Sequence, residues 1–283
     1  MKLPTLSPDL IHTLDNLHTE LDRDRIGGLM RQPGNPFGIS IERFGNATAF
    51  AARGIQTTYY NKVVGLRSED RHLVKDIAGF FARHGSPATK VEVLPGSIDA
   101  ELADRLSSYG LRQTAFGAGY YGLPEAPPAH PDAQLDIRPV AGDRDLDDFL
   151  TVFHEGFDMA RDTRERFVQS MRFWAELPRW ELPLVRIDGQ PAACGVLFTH
   201  NRLAYFALAA TAPRFRGRGS LAGLLDWALR RVKDTQGDLV CGQCDFPSTT
   251  ARHFERFGMR LAYHKAIWEL RTRGAVASPD SLY

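Results

Sequence analysis

The sequence predicts an α/β (α+β) protein of two domains, each a mixed, mostly antiparallel central sheet flanked by helices. Three observations predict it. Helix-like and strand-like periodicities alternate along the whole chain. A proline cluster, "LPEAPPAHPDAQ" from Leu123 to Gln134, forbids a helix, removes sheet donors and splits the chain into halves of similar length. The halves also echo each other. "HGSPATKVEVLPGSIDAELADRLSSYGLRQ" and "TQGDLVCGQCDFPSTTARHFERFGMRLA" both run glycine, strand, proline, helix, aromatic–Gly–apolar, strand, as a divergent internal duplication would. The division expected is 1–123, a linker at 124–135, a second domain at 136–271 and a tail at 272–283.

In the first half, Ser7 and Pro8 open a helix with Leu10, Leu14, Leu17 and Leu21 on one face. "ISIERFGNATAFAARG" and "IQTTYYNKVVGL" carry strand character. Ser68 opens a helix bearing Leu73, Ile77, Phe80 and Phe81. "TKVEVLPG" is a strand, Ser97 to Ser108 a helix and "LRQTAFGAGYYGL" a strand.

In the second half, Leu146, Phe149, Leu150, Phe153 and Phe157 recur at helical spacing. Thr163 caps a second helix with Phe167, Met171 and Trp174. Asp188-Gly189 and His200-Asn201 are turn signals that divide the next segment into three antiparallel strands. A helix carrying Leu221, Leu224, Leu225, Ala228, Leu229 and Val232 follows. Then come the strand "GDLVCGQCDF", a helix from Ser248 to Phe257 and the strand "MRLAYHKAIWEL".

Composition narrows the function classes. The 283 residues carry a formal net charge of +1, which argues against a general nucleic-acid or membrane-surface protein. Three cysteines fit a reducing, cytoplasmic compartment better than a disulfide framework. The N-terminus lacks the apolar run of a signal peptide, and no window approaches a membrane span.

Against that near-neutral background, "RFRGRG" from Arg214 to Gly219 is the chemical signal. It lies between a strand and a helix start, where unpaired N–H groups and a partial positive charge await an anion. Glycines permit close approach, and arginines add bidentate phosphate contacts. The loop lacks the Gly-Lys-Ser/Thr of a Walker A motif and the G-x-G-x-x-G of a dinucleotide fold. A charged capping turn and an RNA-binding Arg-Gly segment are the other readings.

Taken with its surroundings, the second half resembles the GNAT superfamily of acyl-CoA-dependent N-acyltransferases. "RFRGRG" is similar to the family's Q/R-x-x-G-x-G/A loop, "IDGQPAACGVLF" to its β2–β3 hairpin, "FALAATAP" to its fourth strand and "STTARHFERFGM" to its fourth helix. The resemblance implies a tandem protein whose first half is a degenerate copy, because "YYNKVVGLRSEDRHL" has no glycine pair at the loop position. It further implies acetyl-CoA as acyl donor, an amine of a small molecule or protein as acceptor, direct attack on the thioester, and neither a nucleic-acid nor a membrane partner. The coenzyme residues it implies are Ala209, Ala210 and Thr211 on the strand, Arg214, Arg216, Gly217, Arg218, Gly219, Ser220 and Leu221 at the loop, and Ser248 at the following helix. Ser248 is also a natural N-cap.

The acid–base groups depart from the family pattern. "RLAYFALAATAP" has no carboxylate where the family often carries a glutamate, and Phe254 fills the slot of its tyrosine. The candidates left are Asp245, ending the fifth strand, and Tyr205, on the fourth; a turn acid and a packed aromatic are their plain readings. His154 and Glu155 lie in the first helix, where the family shapes its acceptor site, with a solvated face as their plain reading, and His253 is read as a surface histidine. Cys241 and Cys244 lie i, i+3 on a strand, facing opposite ways with no further ligand pair, so no metal is expected. The runner-up is a coenzyme-A-binding or partner-binding protein without turnover.

Overall fold

The computed structural model describes residues 2–55, 57–86, 89–125, 135–159 and 164–270. They fall into two compact units: residues 18–117 with 263–270, the N-terminal unit, and residues 2–17 with 118–262, the C-terminal unit. The units thus divide the chain differently from the proline cluster, whose residues 126–134 lie outside the described residues. Two strands, β5 (Leu111–Gly122) and β12 (Arg260–Leu270), begin in one unit and end in the other.

The N-terminal unit orders its strands β1-β2-β3-β4-β12-β5, with β1 at Ile39–Phe44, β2 at Ala47–Ala52, β3 at Lys62–Val64 and β4 at Lys90–Val93. β4 pairs parallel with β3 and antiparallel with β12. Helices α2 (Val74–His84) and α3 (Ala100–Ser108) cover this sheet through Ile77, Phe80, Phe81, Leu102 and Leu106.

Two expectations change here. "TTYYN", Thr57 to Asn61, is a turn instead of a strand, and Gln56 lies outside the described residues. The Asn61 side chain donates to Ile55 O and Thr57 O at 2.7 and 2.9 Å and accepts the Ala52 N–H at 2.7 Å, curling the segment on itself. The helix expected from Ser68 starts as a 3-10 turn, Ser68–Leu73. Asp70, buried there, accepts the N–H groups of Arg67 and Asn46 at 3.3 and 3.2 Å, so a carboxylate already occupies the donors at that loop.

Helix α1 (Pro8–Met30) starts as expected, with Leu10 N–H donating to Ser7 Oγ at 3.2 Å. From His18 onward it brings polar residues into the N-terminal unit that no periodicity announces. Asp22 meets Arg25 at 2.7 Å and Lys62 at 2.6 Å, and Glu92 meets Lys90 at 3.1 Å and Lys265 at 3.3 Å. All are buried. Burial, then Lys265 and Lys62, hold the His18 imidazole down at about 3.

The C-terminal unit runs β5-β11-β10-β9-β8-β6. Strands β8 (Pro183–Ile187), β9 (Gln190–His200) and β10 (Leu203–Thr211) are the expected antiparallel series. Asp188-Gly189 makes the first turn at positive φ, 53° and 74°; the second uses Asn201-Arg202, one residue later than expected. β6 (Leu135–Pro139) was not foreseen: it is a short, half-exposed edge strand with two charges and a proline, and it pairs with β8. A two-residue strand, β7 (Trp180–Glu181), joins β9.

Helix α4 (Asp143–Gly156) packs on one face of this sheet, followed by α5 (Arg164–Arg172); Thr163 and the Phe167 side chain lie outside the described residues. Phe153, Trp174, Trp180 and Phe198 form a continuous aromatic ladder with centroids 5.2–6.2 Å apart. Helix α6 (Ser220–Asp234) covers the other face with Leu224, Leu225, Ala228, Leu229 and Val232, each at most 1% exposed. Burying such a leucine stabilises the fold by about 1.5–3 kcal/mol, which fixes the pitch and position of the helix mouth. α7 (Thr249–Arg256) completes that layer after β11 (Leu239–Asp245).

Candidate active site

The site begins with a parting of strands. β10 and β11 pair in parallel from Leu203↔Leu239 to Phe206↔Gly242, and no further. At that rung β10 carries a bulge between Phe206 and Leu208, while it stays paired with β9 as far as Thr211↔Ala193. An extra residue bends its strand and raises the local twist. Ala209, Ala210 and Thr211 therefore keep one edge bonded to β9 and turn the other to the gap, across which Gln243, Cys244 and Asp245 continue β11.

Beyond β10 the chain makes a 3-10 turn, Pro213–Phe215, and reaches the mouth of α6. Gly217 and Gly219 have φ of 78° and 79°, a region L side chains rarely adopt, and a Cβ at either would meet nothing within 4 Å. The first intrahelical bond runs from Gly223 N–H to Gly219 O, and no side chain caps the end. The N–H groups of Ser220, Leu221 and Ala222 thus lie at an uncapped helix start. Ser220 Oγ is buried there without a hydrogen-bond partner. Arg216 N–H, by contrast, is spent on Pro213 O at 3.3 Å, so the amide series available to an anion starts at Gly217.

The three arginines fan outward. Arg214 approaches Glu155 at 3.7 Å, Arg216 donates to Gly156 O at 3.1 Å, and Arg218 donates to Asp188 at 3.3 Å in the β8–β9 turn. Two of the three therefore tie the loop to the end of α4. That end lies hard against β10: a Cβ on Gly156 would come within 2.8 Å of Ala210 Cβ and 2.9 Å of Thr211 N.

By strand register, Tyr205, Gln243 and Asp245 share the face that α4 covers, at and just past the last rung. Tyr205 is 3% exposed. Gln243, equally buried, was not singled out by sequence reasoning, and nothing local marks it. Neither its Oε1 nor its Nε2 has a hydrogen-bond partner. Ser248 acts as the N-cap of α7, its Oγ accepting Ala251 N–H at 3.1 Å. Phe254 is fully buried and offers no proton, but Tyr120 of β5 lies beside it, centroids 5.4 Å apart, and donates to Glu255 at 3.4 Å. Burial, then Glu255, push the Tyr120 phenol up to about 12. His253 is half-buried and bonded to Thr249 O, and His154 Nε2 is buried without a partner.

Cys241 and Cys244 are free thiols on opposite faces, Cys241 donating to Ala204 O. Among the described residues no group of three His, Cys, Asp or Glu could hold a metal ion, and no helix is long and apolar enough to cross a membrane.

A parted pair of strands leading to a glycine-flanked, uncapped helix mouth is matched by a family. Residues 131–246 fit the sequence model of the acetyltransferase (GNAT) domain. Over that stretch the chain is similar to a GNAT acetyltransferase domain. Solved structures share the wider fold. A GCN5-related N-acetyltransferase from Kribbella flavida aligns over 89% of this chain and 95% of its own at 13% identity and a TM-score of 0.65. A functionally unknown conserved protein from Staphylococcus epidermidis aligns over 81% and 92% at 13% identity and 0.62. A tandem GNAT protein from the clavulanic acid biosynthesis pathway aligns over 91% and 92% at 15% identity and 0.58. No curated protein sequence matches the chain. The matched stretch includes the Arg-Gly loop, and the likeness to the tandem neighbour covers both halves of the chain.

Proposed function

We propose that the GNAT domain transfers an acyl group, acetyl being the expected one, from acyl-CoA to an amine. The observation that carries the reading is the uncapped mouth of α6, open above Gly217 and Gly219, at the end of a strand that has parted from its neighbour. The residues fit the coenzyme. Amides from Gly217 to Leu221 would grip its diphosphate, with each charge-assisted bond contributing about 1.5–3 kcal/mol. Arg214, Arg216 and Arg218 would add field and secondary contacts while anchoring the loop. Ala209, Ala210 and Thr211 would offer their free edge to its amide-bearing arm. Ser248 serves as a cap, and its place at the start of α7 keeps it on the coenzyme side. No equivalent cradle is offered by the N-terminal unit, where Asp70 fills the loop donors.

The thioester supplies an activated acyl group, and the protein's part is positioning and polarity. Strand amides at the gap would polarise the acyl carbonyl, and holding two reactants together would provide most of the acceleration. Asp245 and Tyr205 remain the proposed proton handlers on the α4 face. Thiolates with a pKa near 8–9 leave without an acid more readily than alkoxides, which accommodates Phe254.

The test is thiol release from acetyl-CoA with a panel of amines, alongside calorimetric binding of acetyl-CoA. Gly219→Asp should abolish binding, because its carboxylate would enter the phosphate cradle, while its Cβ meets nothing in the fold. Unaltered binding by that variant refutes the cradle. Phe254 and the strand without a carboxylate favour one competing reading, a coenzyme-A-binding protein without turnover. Saturable acetyl-CoA binding with no thiol release from any amine would support it.

A further inference from the structure

The N-terminal unit contains a slot that nothing above uses. It runs along α2 from Val74 to Ala82, about 12 Å at the helical rise, with Leu106 of α3 opposite and Val91 of β4 beneath. Its volume is about 180 Å³. Protein interiors pack as densely as organic crystals and leave few voids larger than a water molecule. An apolar cavity of about 150 Å³ stays dry and takes up benzene.

The chemistry of the wall limits the occupant. Among the described lining residues none is charged, so a buried carboxylate, phosphate or ammonium would be stranded. Three hydroxyl-bearing side chains are among them, Ser86, Thr89 and Tyr109. Ser86 Oγ is committed to Asn61 Oδ1. Thr89 Oγ1 is buried with no hydrogen-bond partner. With Ser86 spent and Tyr109 only half-buried, Thr89 carries a buried, unspent hydroxyl in a mostly hydrocarbon wall, which matches a ligand with one oxygen function. Coenzyme A, with its charged nucleotide, does not match.

We propose that this slot is a binding site for a small, neutral, mostly hydrocarbon ligand carrying one oxygen function, such as an alcohol or a phenol. It gives the half of the chain without the Arg-Gly loop a ligand of its own, and it does not rest on the acyl-transfer reading.

The experiment uses the full chain with labelled methyl groups, titrated in turn with hexan-1-ol, benzene and hexanoate while the Ile77, Val91 and Leu106 resonances are followed. The expected result is saturable shifts with hexan-1-ol and benzene and none with hexanoate. Thr89→Val keeps the shape and removes the hydroxyl. It should weaken hexan-1-ol about fivefold, the value of one hydrogen bond, and leave benzene unchanged. Ala78→Phe should fill the slot and remove both responses; if circular dichroism shows that variant misfolded, Ala82→Met fills the same space and decides. No saturable shift with either neutral probe overturns the proposal. So does hexanoate binding as well as hexan-1-ol, an undiminished response in the folded filling variant, or an equal effect of Thr89→Val on both neutral probes.

Discussion

Replacing Gln243 by Met should make the protein more stable and, if the strand gap is the reaction centre, less active. The side-chain amide of Gln243 is 3% exposed, and both its oxygen and its nitrogen lack partners. A buried polar group left unsatisfied costs about 1–3 kcal/mol. Methionine is similar in length and unbranched, so the swap removes two unsatisfied atoms without opening a large cavity. Taking the low end for each atom gives a gain of about 2 kcal/mol. With a urea m-value of about 2–3 kcal/mol/M, the midpoint should rise by about 0.7–1 M. The assay is urea unfolding followed by the fluorescence of Trp174, Trp180 and Trp227, all in the C-terminal unit. A protein that keeps so costly a group beside a parted strand pair keeps it for a partner supplied from outside, so thiol release by Gln243→Met should fall as stability rises. An unchanged or lowered midpoint refutes the reasoning, because it would mean that the amide is already satisfied.

Gly156→Ala should destabilise the C-terminal unit by about 1–3 kcal/mol, since the new methyl overlaps Ala210 and Thr211 and lifts the end of α4 from β10. A thermal melt matching the parent chain would count against that packing. Acid should weaken the N-terminal unit in two stages. Below pH 6.5 unfolded His18 takes up a proton that folded His18 refuses until about 3, so stability falls over that window by up to about 1.4 kcal/mol per pH unit. For Asp22 burial pushes the carboxyl up, but Lys62 and Arg25 outweigh it and hold the group at about 2. Its contribution is therefore present above 3.8 and lost as pH falls through 2. His18→Gln should flatten the upper stage alone; a parent chain with the same urea midpoint at pH 7 and pH 4.5 would contradict the burial of a neutral imidazole.

Where the signal is local, the sequence is legible. The Asp188-Gly189 turn, the Ser248 cap, the apolar stripe of α6 and the paired glycines before it each depend on a few neighbouring residues, and each is found in place. β6 escaped because an exposed edge strand needs little apolar alternation. The turn at 57–61 escaped because one asparagine side chain outcompetes a strand-like run for its own backbone.

The sequence by itself determined most of the element order and the glycine-flanked start of α6, since propensity, turn chemistry and periodicity act over a handful of residues. Only the tertiary structure decided which strands part, which face Gln243 turns to, where each arginine is held, and that β5 and β12 serve both units. Those outcomes depend on pairing and packing between residues far apart in the chain, and no short window of sequence records the competition among possible partners.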